Sequence, residues 1–150
     1  MQDFKKLRVW QLAAEVALKV IEVLPPRASR KVPGLRSQAI RAATSVTANL
    51  AEGCSRQTRV ELLRFVEIAL GSHNELGAHL RLGLDAGVIA ERDYTKLKGD
   101  LDLVRRMLLS LMRTLQRRAA EDENTRRETL QSVARPPSID ALVPPPPSTR

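Results

Sequence analysis

Apolar residues recur at helical intervals along most of the chain. Over residues 4–24 the polar positions Lys5, Arg8, Gln11, Glu15, Lys19 and Glu22 are spaced 3, 3, 4, 4 and 3. That spacing draws one narrow polar stripe on a helix. The remaining surface is mostly apolar and forms two lines. Phe4, Leu7, Ala14, Leu18 and Ile21 make one, and Val9, Leu12, Val16, Val20 and Val23 make the other. A surface helix of a monomer needs a single apolar face. Two lines therefore predict that one packs into the fold and the other meets a second subunit. Trp10 lies beside them, with core and interface both open to it. Asp3 is placed to cap the helix, and Pro25-Pro26 to stop it.

A second helix is predicted over Leu35–Glu52, after a basic, turn-rich loop, with Gly53 as its C-terminal cap. Its Ala39, Ala42, Ala43, Ser45, Ala48 and Ala51 let a neighbouring backbone come close. Ile40, Val46 and Leu50 supply the larger contacts, and Asn49 and Glu52 are expected to fix the end of this helix. Thr58 and Glu61 form a capping box that opens a third helix. Its core face is Leu62, Phe65, Val66, Ala69, Leu76, Leu80 and Leu84. Gly71, Gly77 and Gly83 within it each weaken an exposed helix by about 1 kcal/mol, so tight packing by another helix is expected there. The third helix ends near Gly87. In the fourth, Tyr94, Leu97, Leu101, Val104, Leu108, Leu111 and Leu115 alternate steps of 3 and 4, a bundle seam running from about Glu91 to Arg118. After Ala119 the period fails and prolines accumulate. The pattern predicts an all-α, antiparallel up-down four-helix bundle over residues 1–119, with a disordered Pro-rich tail over residues 120–150.

Composition changes this picture little, but charge adds to it. Aromatic residues make up 3% of the 150, which favours helices over a sheet. No apolar run nears the roughly 18 residues a membrane span needs, and the start of the chain has no apolar signal core. A soluble, cytoplasmic protein without membrane contact is expected. A single cysteine, Cys54, leaves no internal disulfide. The net charge is +8, made of +9 on residues 1–119 and −1 on residues 120–150. The basic excess thus lies on the folding part, where a polyanion partner would read it.

No catalytic constellation emerges, so no enzyme, cofactor or metal is expected. A ferritin-like centre needs Glu-x-x-His pairs on facing helices, whereas His73 and His79 share one helix and point to different sides. Glu52 and Glu75 are read as partners of arginines or helix ends. The basic residues are the better lead. Lys5, Lys6 and Arg8 open the first helix, and Arg36 and Arg41 lie at and just after the start of the second. Arg56 and Arg59 flank the second loop, and Arg113 and Arg117 stud the last helix. Arginine forks fit phosphate oxygens, and with few aromatics to stack on bases, contact to backbone and shape is expected.

The stretches "FKKLRVWQLA", "LRSQAIRAATSVTANLAEG" and "RFVEIALGSHNEL" together resemble the four-helix-bundle proteins encoded in intervening sequences of bacterial large-subunit ribosomal RNA genes. The resemblance covers about residues 4–118 and leaves out the tail. It implies a helical protomer that assembles with itself, typically as a homopentamer. That family is also similar to the accessory variability determinant of diversity-generating retroelements, basic bundles that bind a reverse transcriptase and its RNA. The expectation is therefore a homo-oligomer that binds RNA or another nucleic acid. The alternative is a protein-interaction scaffold, such as an accessory subunit of a reverse transcriptase.

Overall fold

The structure, a computed structural model, describes residues 3–134. A 3-10 turn over Phe4–Lys6 leads into α1 (Arg8–Val23). A single helical turn, α2 (Ala28–Lys31), precedes α3 (Leu35–Ser55), α4 (Arg59–Asp85) and α5 (Glu91–Ala134). Long-range bonds set the register of the four long helices. Trp10 Nε1 donates to the Thr47 carbonyl at 3.1 Å and Arg36 Nε to the Leu24 carbonyl at 2.7 Å, so α1 and α3 run antiparallel. Ser45 and Ser72 share a hydroxyl bond of 2.9 Å while Arg41 meets Glu75, so α3 and α4 do too. His73 Nε2 lies 2.9 Å from the Leu101 carbonyl, and Lys19 donates to Asp100 at 2.8 Å, which closes α5 against α4 and α1. The result is the antiparallel four-helix bundle that the periodicity predicts.

Of the two apolar lines on α1, one is core. Val9, Val16 and Val20 are buried, joined by Ala13 and Ala17, whereas Leu18 stays 63% and Ile21 39% exposed. Trp10 is half-buried on the α3 side, its ring 4.9 Å from that of Phe4 in an edge-on pair. Asp3 caps the 3-10 turn by accepting from the Lys5 amide. The seam of α5 holds: Leu97, Leu101, Val104, Leu108 and Leu115 are buried, and Tyr94 and Leu111 are packed against them. Each such leucine contributes about 1.5–3 kcal/mol on burial.

On α3, Ala39, Ala42 and Ala43 are buried and let α4 approach. Ala48 is exposed, so it is not part of that close contact. Asn49 does not close the end of α3: its amide donates back to the Ser45 carbonyl and hydroxyl, at 2.8 and 3.1 Å. Gly53 is not a cap either. The helix runs two residues further, and a Cβ on Gly53 would stand 2.8 Å from Leu62 Cδ1 and 2.9 Å from Phe65 Cβ. Glycine is needed there for close approach, not for a left-handed turn. The capping box is present as read, with Thr58 accepting from the Glu61 amide at 3.2 Å. Among the three spaced glycines only Gly83 is crowded, because the α4–α5 connection folds Ile89 back to within 2.7 Å of its would-be Cβ. Gly71 and Gly77 meet nothing within 4 Å, contrary to the expectation of a packed neighbour. Gly87, at φ 63, makes the left-handed turn that ends α4.

The last helix runs on past the boundary that the pattern implies. α5 continues from Ala119 to Ala134 without an apolar face, since its side chains there are almost all exposed. Helix formers and the i,i+4 pair Arg127–Glu123, at 2.8 Å, sustain it. Hydrophobic period reports packing, and this segment is helical without packing. Residues 135–150, which include Pro144 to Pro147, lie outside the described residues.

Candidate nucleic-acid interface

Antiparallel register decides which basic residues meet. Because Lys19 pairs with Asp100, and Arg8 lines one groove with Leu103 and Met107, the start of α1 lies beside residues 110–114 of α5. The pairing of Trp10 with Thr47 carries the same end of α1 towards the last turn of α3. Arg59 bonds Asp122, which brings the start of α4 against α5 about two turns further towards the same end. Lys5, Lys6, Arg8, Arg56, Arg59, Arg113 and Arg117 therefore share one end of the bundle. Arg36 and Arg41 do not. Arg36 is half-buried near the opposite end, where its fork satisfies the free carbonyl of Leu24. Arg41, further along α3, reaches Glu75 at 3.4 Å.

The seven that converge differ in availability. Arg56 pairs with Glu52 and lies 5.0 Å above the Phe65 ring, so its guanidinium is held on two sides. Arg59 is tied to Asp122. Lys5, Lys6, Arg8, Arg113 and Arg117 are exposed and, among the described residues, have no carboxylate within ion-pair distance. These five are the free cations of that end. Arg106 and Arg118 extend the group, both exposed and unpaired among the described residues. Arg106, Arg113 and Arg117 fall at i, i+7 and i+11, so they share a face of α5 spanning about 16 Å. That spacing was legible in the sequence. Arg64, exposed in a shallow groove with Arg56, Glu61 and Phe65, had no such signal, and only the packing of α4 brings it to this end.

The polar residues inside the bundle are structural. Ser72 bridges Ser45 and the Ile68 carbonyl, satisfying a hydroxyl that is otherwise buried. His73 is 6% exposed, donates through Nε2 to Leu101, and leaves Nδ1 without a partner. His79 points away from it, towards Glu75 at 3.6 Å. Burial pushes the Cys54 thiol up from its ordinary value. Among the described residues, no three His, Cys, Asp or Glu side chains are grouped to hold a metal ion, and no helix is long and apolar enough to cross a membrane.

Comparison with known proteins fits this architecture. One solved structure, described as a protein of unknown function from the S23 ribosomal protein family of Bacteroides thetaiotaomicron VPI-5482, superposes with a TM-score of 0.62. It is 22% identical and covers 69% of this chain and 97% of its own. At that identity the likeness is one of fold. No curated protein matches the chain at a significant level. The family model described as 23S rRNA-intervening sequence protein matches residues 5–110, which takes in α1, α3, α4 and most of the buried seam of α5. The chain belongs to the 23S rRNA-intervening sequence protein family.

Proposed function

We propose that this protein is a non-enzymatic, oligomeric nucleic-acid-binding protein of the cytoplasm, with RNA as its ligand, gripping phosphates at the basic end of the bundle. One observation carries the reading: cations from separate segments of the chain converge at one end, and five of them face solvent without a carboxylate. A basic surface with little aromatic area favours backbone contact over base readout. Membership of the 23S rRNA-intervening sequence protein family agrees with an RNA partner. Self-association, as a homopentamer by the resemblance noted above, is supported by the second apolar line of α1. Leu18 and Ile21 stay exposed there, and on the adjoining face of α3 so do Thr44 and Ala48.

The test is binding of nuclease-treated protein to a structured RNA across a salt series. Each lost phosphate contact flattens the log-log slope by about 0.7–0.9. Reversing Lys5, Lys6, Arg8, Arg113 and Arg117 to Glu is expected to abolish binding, while reversing Arg36 and Arg41 leaves it largely intact. Equal loss from both sets would show that the end of the bundle is not the binding surface. The second reading, a scaffold or accessory subunit of a reverse transcriptase, draws on the same exposed Leu18 and Ile21. It expects Leu18→Glu to break a protein complex that charge reversal spares.

A further inference from the structure

The segment of α5 beyond Ala119 lies outside both the family match, which ends at residue 110, and the core of the bundle. It is an arm about 22 Å long at roughly 1.5 Å per residue. It carries two exposed apolar side chains, Leu130 at 61% and Val133 at 80%. A lone helix of this length is marginal in water, and such residues favour a partner. At its base the arm forms a cleft with the first turn of α4, lined by Val60, Ala119, Arg59, Asp122, Glu123 and Arg126. Val60 is itself 63% exposed. The cleft holds two cations and two carboxylates, with apolar surface between them. That mixture fits a mixed-charge helix better than a polyanion.

The arm itself is such a helix. Laid against a second arm in parallel, Asp122 would face Asp122 and Arg126 would face Arg126. Laid antiparallel and centred near residue 124, Asp122 faces Arg126 of the second copy, twice by symmetry, on the face that also carries Ala119 and Leu130. The same alignment carries Leu130 to the level of Arg118 and Ala119, at the cleft floor of the other copy, with Val133 about one turn beyond. We propose that two copies of this chain join through their arms in this antiparallel register, each arm tip seated in the other's basal cleft. The joint is separate from the exposed apolar line of α1, so it would couple two assemblies formed by the bundles.

The experiment measures the mass of full-length, nuclease-treated protein by sedimentation over a range of concentrations. Leu130→Glu with Val133→Glu keeps good helix formers in the arm and is expected to halve the mass. An unchanged mass overturns the proposal. Asp122→Arg and Arg126→Asp are each expected to halve it as well, and the two combined in one chain are expected to restore it. Asp122 also bonds Arg59 within the protomer. If the combined variant stays at half mass, Asp122 matters only for that internal bond and the antiparallel register is wrong.

Discussion

Replacing Gly53 by alanine separates two readings of one residue. In most exposed helical positions the change is favourable by up to about 1 kcal/mol, because alanine restricts the unfolded chain and suits a helix. At Gly53 the new methyl would sit 2.8 Å from Leu62 Cδ1 and 2.9 Å from Phe65 Cβ, where carbons in contact prefer about 3.5–4.0 Å. Leu62 Cδ1 is the end of a flexible side chain and can turn away. Phe65 Cβ is anchored to the α4 backbone, so α3 and α4 must part by some tenths of an ångström along their closest contact. Overpacking of this kind typically costs about 1–3 kcal/mol. Set against the propensity gain, Gly53→Ala is expected to destabilise by up to about 2 kcal/mol. Gly71→Ala, with nothing within 4 Å of the new atom, is expected to stabilise the chain by up to about 1 kcal/mol. Urea unfolding at one protein concentration reads both as shifts of midpoint at constant slope. A Gly53→Ala that stabilises the chain as Gly71→Ala does would refute the close-approach argument.

Three further outcomes are expected. Burial raises the pKa of Cys54, so the neutral thiol stabilises the fold below the ordinary thiol pKa of about 8.5, and that contribution is lost as pH rises through the folded value. Urea midpoints from neutral to alkaline pH should therefore fall more steeply for the native chain than for Cys54→Ala, and parallel curves would count against it. Asp102 is held below the usual carboxylate range by its bond to Lys98, so its contribution is present above a pH of about 3.9 and is lost on acidification through the lower folded value; Lys98→Met should flatten that part of an acid titration of stability. His73→Leu removes one bond to Leu101 together with an unpartnered buried nitrogen, so thermal unfolding should place it within about 1 kcal/mol of the native chain, whereas Leu108→Ala should lose about 2–5 kcal/mol.

The helices were legible because each carries its packing in its own spacing. Leu97 to Leu115 recur every three or four residues and are the seam of α5, and Thr58 with Glu61 mark a helix start by chemistry confined to one turn. Both signals are local, so the order of apolar residues and the shape of one side chain suffice. The line through Leu18 and Ile21 on α1 was visible in the same way, although the protomer buries the line through Val9, Val16 and Val20. The residues that sequence misread depend on what lies across from them. Gly53 resembles a cap until Leu62 and Phe65 are seen against it, and Gly71 resembles a packing site until the space beside it proves open. The arm beyond Ala119 was missed because a helix held by backbone bonds and i,i+4 pairs leaves no apolar period to read. Nine cations were equally eligible as sequence. Tertiary structure sent Arg36 to a helix carbonyl and Arg41 to Glu75, and gathered Lys5, Lys6, Arg8, Arg56, Arg59, Arg113 and Arg117 at one end. Charge in a sequence has magnitude without position, and the antiparallel register of the helices supplies the position.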